Sequence, residues 1–283
     1  MSKASAIECC NLGVGVAKGP RLATVNARLQ AGRFTAILGP NGAGKSTLMS
    51  MLVGERAAQS GEVLLDGIAL ARHSPPQLAC RRAVMPQDCA VAFDFTTQEV
   101  VELGRYPHRH QAQDDEAQIV QDAMALTGVD HLAQRSINTL SGGERARTHL
   151  ARVLAQIWQA REGDSARWLL LDEPTAALDL AHQHHAMRLL RQWAAEQGVG
   201  VVAVIHDLNL ALRYADDVLV LGGNVKTGVG TGIGTGAGVH HGPVLEVLQP
   251  ALVQQVWGMQ CDPVRSSDGA LQYIFVADSA IAA

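Results

Sequence analysis

No segment of this 283-residue chain stays apolar for the roughly 20 residues that a membrane-spanning helix requires. Runs such as Val199 to Ile205 are far shorter and read as buried strands. Aromatic residues are scarce at 4%, and charged residues reach only 18%. The net charge of -4 leaves no broad basic surface for phosphate neutralisation, so nucleic acid is not an expected partner. The five cysteines, Cys9, Cys10, Cys80, Cys89 and Cys261, are odd in number and lack paired metal-site spacing. That pattern suits free thiols in a reducing compartment. Met1 to Asn11 holds one Lys and one Glu and no apolar stretch of signal-peptide length, so export is not expected. Any membrane role is expected to come through a partner.

What is present is a chain that is 47% hydrophobic, enough to fill a sizeable core. Phe34 to Leu38 is a short apolar run, followed by a Gly-rich segment and then by the helix-compatible Lys45 to Val53. Trp168 to Leu171 ends in Asp172 and Glu173, and Val199 to Ile205 ends in His206. Such runs, alternating with helical stretches such as Leu180 to Gln197, predict an α/β fold: a parallel sheet flanked by helices. Ligands in such sheets bind beyond the carboxyl ends of the strands, where all three runs place polar groups. Between the first run and the second, helical spacing of Ile119, Val120, Ala123, Met124 and Thr127 predicts an inserted α-helical subdomain over residues 88–154. The core then comprises residues 1–87 and 155–283. Within the latter, nine of the 21 residues from Gly222 to Gly242 are Gly, predicting an elongated loop between strands. Helical spacing returns in Pro243 to Gly258, and Gln272 to Ala277 reads as an edge strand.

Gly39, Pro40, Asn41, Gly42, Ala43, Gly44, Lys45, Ser46 and Thr47 form a phosphate-binding loop between strand and helix. Bare backbone there lets N–H groups converge on a polyphosphate, and the helix that follows adds its positive dipole end. Lys45 is expected to reach the β- and γ-phosphates, and Ser46 to ligate Mg²⁺. Asp172 is expected to hold the metal's shell and Glu173 to polarise the attacking water. Ser141, Gly142 and Gly143 open a helix and make a second anion site from a hydroxyl and backbone N–H groups.

With Leu140-Ser141-Gly142-Gly143-Glu144 the sequence resembles the ABC ATPase family, whose signature it matches. The likeness runs from about Ile7 to Gly222 and implies a P-loop NTPase core of RecA-like type with an N-terminal antiparallel β part. It implies ATP and Mg²⁺ as ligands and two copies paired head to tail, each signature closing over the other's nucleotide. By the same likeness Gln87 contacts the metal and links the site to a transmembrane permease. His206 touches the γ-phosphate, and Asp179 acts across the dimer. Two positions depart from the pattern: Val16 stands where many members stack an aromatic on adenine, and Ala146 where a Gln is common.

Phe93-Asp94-Phe95, the stretch Val100 to His108 and the stretch His206 to Asp216 resemble importers of iron siderophores, cobalamin and haem. Ala151 to Trp158 and Asp179 to His184 look most like the haem-importing members. The resemblance implies haem uptake from the cytoplasmic face of the inner membrane, with a periplasmic haem-binding protein as an indirect partner. Ferric-siderophore or cobalamin import is the alternative, and a membrane-free ABC ATPase the reading from a different class. His182, His184, His185, His240 and His241 read as unligated histidines, because the cargo is expected to be held elsewhere.

Overall fold

The computed structural model describes residues 5–15, 21–88, 93–111, 115–159, 166–222 and 238–276. Val16 lies outside these residues, as does most of the glycine tract, 223–237.

Three strands of the core, β3 (Phe34–Leu38), β7 (Trp168–Asp172) and β8 (Gly200–Val204), are buried along their whole length. Burial on both faces explains why they read as continuous apolar runs without alternation. With β1 (Ala6–Gly15), β2 (Arg21–Gln30), β4 (Glu62–Leu65), β5 (Ile68–Ala69), β6 (Arg82–Met85), β9 (Asp217–Leu221) and β10 (Val239–Pro243) they build two sheets. A six-stranded sheet runs in the order β10-β9-β3-β8-β7-β6, and a four-stranded sheet in the order β2-β1-β4-β5. In the larger sheet β9, β3, β8, β7 and β6 pair parallel, and β10 joins antiparallel to β9. The smaller sheet is antiparallel throughout. The flanks of the glycine tract thus pair with each other, Val239 facing Leu221.

Helices cover the larger sheet. Helix α1 (Lys45–Val53) packs between it and the smaller sheet, where Leu48 and Leu52 share a cluster with Leu12, Val25, Trp168 and Val202. On the opposite face, α6 (Leu180–Gln197) and α7 (Leu208–Tyr214) bury Met187, Leu190, Trp193 and Ala211 against β3 and β8. Helix α2 (Pro75–Arg81) leads into β6, and between β6 and β7 lie α3 (Thr97–Glu102), α4 (Glu116–Thr127) and α5 (Gly142–Gln156). Val100, Val101, Ile119, Val120, Ala123 and Met124 form a separate apolar cluster with Ala151 and Ala155 of α5. Leu150, Val153 and Leu154 of the same helix pack into the main core. Helix α5 therefore runs through the 154/155 boundary drawn from sequence, because its apolar surface is shared by both clusters.

The C-terminal part adds α8 (Val244–Val247), α9 (Pro250–Trp257), β11 (Gln260–Arg265) and β12 (Leu271–Val276). The expected edge strand is corrected here. Strand β12 pairs with β11 in a hairpin of its own, apart from the main sheet. Asn209 of α7 fixes this hairpin in place: its Nδ2 donates to the Tyr273 carbonyl at 3.1 Å, and its Oδ1 accepts from the Tyr273 amide at 2.7 Å. Among the described residues, no helix is long and apolar enough to cross a membrane.

Candidate active site

The carboxyl ends of β3, β7 and β8 bring the phosphate loop, the acidic pair and His206 to one rim, as open parallel sheets do with their ligands. Beyond β3 the chain turns through Gly39 to Gly44 and enters α1 at Lys45. Gly39 has φ +150, and a Cβ there would lie 2.4 Å from the carbonyl oxygen of Leu221. Only glycine fits, since both the backbone angle and the neighbouring strand forbid a side chain. Gly39→Ala is expected to destabilise the fold by about 2 kcal/mol, read as a lowered denaturation midpoint in urea at unchanged slope.

Lys45 is buried, and its Nζ donates to the carbonyls of Gly39 at 2.9 Å and Pro40 at 3.1 Å. The lysine thereby closes the loop around the N-terminus of α1. Burial holds its ammonium below the ordinary lysine range, against the pull of Glu173 and Asp172. The opposite happens at Asp172, where burial pushes the carboxyl up and a hydrogen bond from Ser46 pulls it back. Ser46 Oγ donates to Asp172 Oδ1 at 3.4 Å. A hydroxyl and a carboxylate side by side are two hard oxygen donors, so the pair fits a Mg²⁺ ion. Gln87, the third residue expected at the metal, is engaged differently: its Nε2 donates to Glu173 Oε2 at 3.1 Å.

Glu173 is the centre of the site. His206 Nε2 lies 2.6 Å from Glu173 Oε1, so one carboxylate oxygen meets the histidine and the other meets Gln87. Glu173 adopts φ +55, rare for a residue with a side chain, at the turn that leaves β7. Such strain persists only where the surroundings hold it, here by the two contacts to its carboxylate. Glu173, Thr175, Gln183 and His206 line a small cavity of about 160 Å³.

Ser141, Gly142, Gly143 and Asp179 are not bonded to this centre. Ser141 caps α5 through a reciprocal pair: it accepts from the Glu144 amide, while its own amide donates to Glu144 Oε2 at 2.8 Å. Donation from the Ser141 amide and hydroxyl holds the Glu144 carboxyl below its usual range. Gly143 sits against the stretch leading to Asp179, where a Cβ would come 3.2 Å from the Ala177 carbonyl oxygen. Asp179 caps α6 and accepts from the His182 amide at 2.9 Å. A residue that sequence reasoning passed over braces this loop: Gln183 Nε2 donates to the carbonyls of Leu178 at 3.0 Å and Thr175 at 3.3 Å. A glutamine one helical turn after Asp179 was the one available signal. The other α6 histidines also have local partners, His184 Nδ1 on Tyr214 Oη at 2.9 Å and His185 Nε2 on the Leu126 carbonyl at 2.9 Å.

Residues 22–176, more than half of the chain, match the ABC transporter domain family. The chain is 49% identical to the hemin import ATP-binding protein HmuV of Gloeobacter violaceus over 216 residues, which is 76% of this chain and 78% of that protein. It is 42% identical to the hemin import ATP-binding protein HmuV of Burkholderia cenocepacia over 264 residues, covering 88% and 91%. Among solved structures, a dimeric bacterial ABC transporter cassette superposes with a TM-score of 0.66 at 26% identity, covering 76% of this chain and 94% of that one. On these matches and the geometry above, the chain belongs to the ABC transporter family, as one of its ATP-hydrolysing subunits.

Proposed function

We propose that this chain works as a head-to-tail pair on the cytoplasmic face of the inner membrane, hydrolysing ATP to drive haem import through a transmembrane permease. The observation that carries the chemistry is Glu173 held between Gln87 and His206. That carboxylate orients the attacking water and accepts its proton, which phosphoryl transfer requires more than covalent participation. His206 and Gln87 fix its two oxygens, and His206 also reaches the γ-phosphate. Lys45, with two ammonium hydrogens on loop carbonyls, turns the third to the β- and γ-phosphate oxygens. Backbone from Gly39 to Thr47 wraps the phosphates. Ser46 and Asp172 would hold Mg²⁺, with Gln87 alongside, and the bound ion would neutralise charge on the phosphates. Ser141, Gly142 and Gly143 meet the γ-phosphate of the partner's nucleotide, and Asp179 lies across the dimer.

Haem as cargo rests on the two HmuV relatives, which match most of the chain. A periplasmic haem-binding protein delivers it. Reconstituted with its permease, the chain is expected to hydrolyse ATP faster than alone, and faster again with a haem-loaded binding protein. Stimulation by a cobalamin-loaded or ferric-siderophore-loaded protein in place of the haem-loaded one overturns the cargo assignment and leaves the ATPase intact.

A further inference from the structure

Among the described residues, strand β6 is the edge of the six-stranded sheet, and its outward backbone groups have no neighbouring strand. Helix α5 supplies partners for them. Arg152 Nη2 donates to the Val84 carbonyl at 3.1 Å. Gln156 Nε2 donates to the carbonyl of Arg82 at 3.2 Å and to that of Ala79, at the end of α2, at 2.8 Å. The spacings match: four residues of helix rise about 6 Å, and two residues of strand rise about 6.6 Å. Residues 82 and 84 point the same way along the strand, and Arg152 and Gln156 stand one turn apart on the helix. Two side chains thus take the place of a missing strand.

The position of this latch gives it a role. Strand β6 ends at Met85, two residues before Gln87, whose amide holds Glu173. Helix α5 begins at Gly142, capped by Ser141. One rigid helix therefore carries the signature at one end and grips the strand leading to Gln87 near the other. The helix is itself anchored to the helical insert, since Arg105 Nη1 donates to the Ala155 carbonyl at 2.7 Å while its guanidinium pairs with Glu116.

We propose that Arg152 and Gln156 are positioning residues for hydrolysis: they hold Gln87 on Glu173 through β6, so that a displacement of α5 at Ser141 reaches the Gln87–Glu173 hydrogen bond. This deepens the reading above and rests on Gln87 and Glu173 acting in hydrolysis. Loss of the latch lets the strand end shift while the phosphate loop, on β3 and α1, stays in place.

The test is a double-mutant cycle on the full chain, with steady-state ATPase kinetics and ATP binding measured for each variant. Arg152→Ala is expected to lower kcat about 10-fold, with KM and ATP affinity changed by less than about twofold. In the Gln87→Ala background the same substitution is expected to cost under about twofold, because the group it positions is gone. Arg152→Lys, which keeps a donor for the Val84 carbonyl, is expected to recover most of the rate. Gln156→Glu removes both amide donors, to the carbonyls of Arg82 and Ala79, at nearly constant volume and keeps the test available if Arg152→Ala fails to fold; its loss of kcat should also vanish with Gln87→Ala. Equal fold-losses in both backgrounds, or an unchanged kcat in Gln156→Glu and Arg152→Ala, overturn the proposal. Failure of the underlying reading shows separately, as a Glu173→Gln variant that turns over at the parent rate.

Discussion

Glu173→Gln is expected to bind ATP as the parent does and to lose turnover by roughly 10²- to 10⁴-fold, the range that a positioned general base contributes. The amide keeps the shape of the side chain but cannot take a proton from water. Its environment is also rearranged, because Gln87 Nε2 at 3.1 Å and His206 Nε2 at 2.6 Å both address carboxylate oxygens. An amide presents only one acceptor oxygen, so one of those contacts is lost. Lys45→Ala is expected to fail in the other way. Removing a buried ammonium aimed at phosphate weakens ATP binding by roughly 10²-fold or more, since truncating one member of a buried charge pair is costly. Equilibrium binding of a fluorescent ATP analogue and phosphate release separate the two phenotypes. Turnover at the parent rate in Glu173→Gln removes Glu173 as the base, and unchanged affinity in Lys45→Ala removes Lys45 from phosphate binding.

Much of this site was legible because its parts sit where the sequence changes character. A strand buried on both faces must be apolar, so Asp172 and Glu173 stand out at the end of Trp168 to Leu171, and the glycines stand out after Leu38. Helices α1 and α6 begin and end where the sequence put them, Lys45–Val53 and Leu180–Gln197, because Gly44, Gly54, Asp179 and Gly198 punctuate them. Contacts between distant segments were not legible. Nothing local to Glu173 reveals φ +55 or its grip by residues 87 and 206, since both depend on how three strands align in register. Gln183 and Arg152 enter the sequence only within stretches that look like the haem-importing members, and their importance lies in carbonyls that only tertiary packing brings to them. The strand near Gln272 was legible, but its partner β11 was not, because Pro263 interrupts that short strand, and the bond between Asn209 and Tyr273 is what fixes the hairpin.

Mixing a Lys45→Ala chain with a Ser141→Ala chain is expected to restore hydrolysis that neither shows alone. In the fold, the hydrogen bonds of Ser141 run to Glu144 at the start of α5, whereas Lys45, Asp172 and Glu173 gather at the sheet's rim. A second anion site that does not join the first within one chain is explained if it serves the nucleotide of another copy, and a dimeric cassette is among the structural matches. Head-to-tail symmetry then makes two equivalent composite sites, each with Lys45 from one chain and Ser141 from the other. Each homodimer has two half-damaged sites. A mixed dimer concentrates both defects in one site and leaves the other whole, so an equimolar mixture that exchanges freely keeps about a quarter of its sites intact. Single-turnover hydrolysis measured after mixing, beside each variant alone, reads this directly, and native mass spectrometry confirms that mixed dimers form. Activity in the mixture no greater than the mean of the two homodimers, with mixed dimers present, contradicts head-to-tail pairing and returns Ser141 to the role of a plain helix cap.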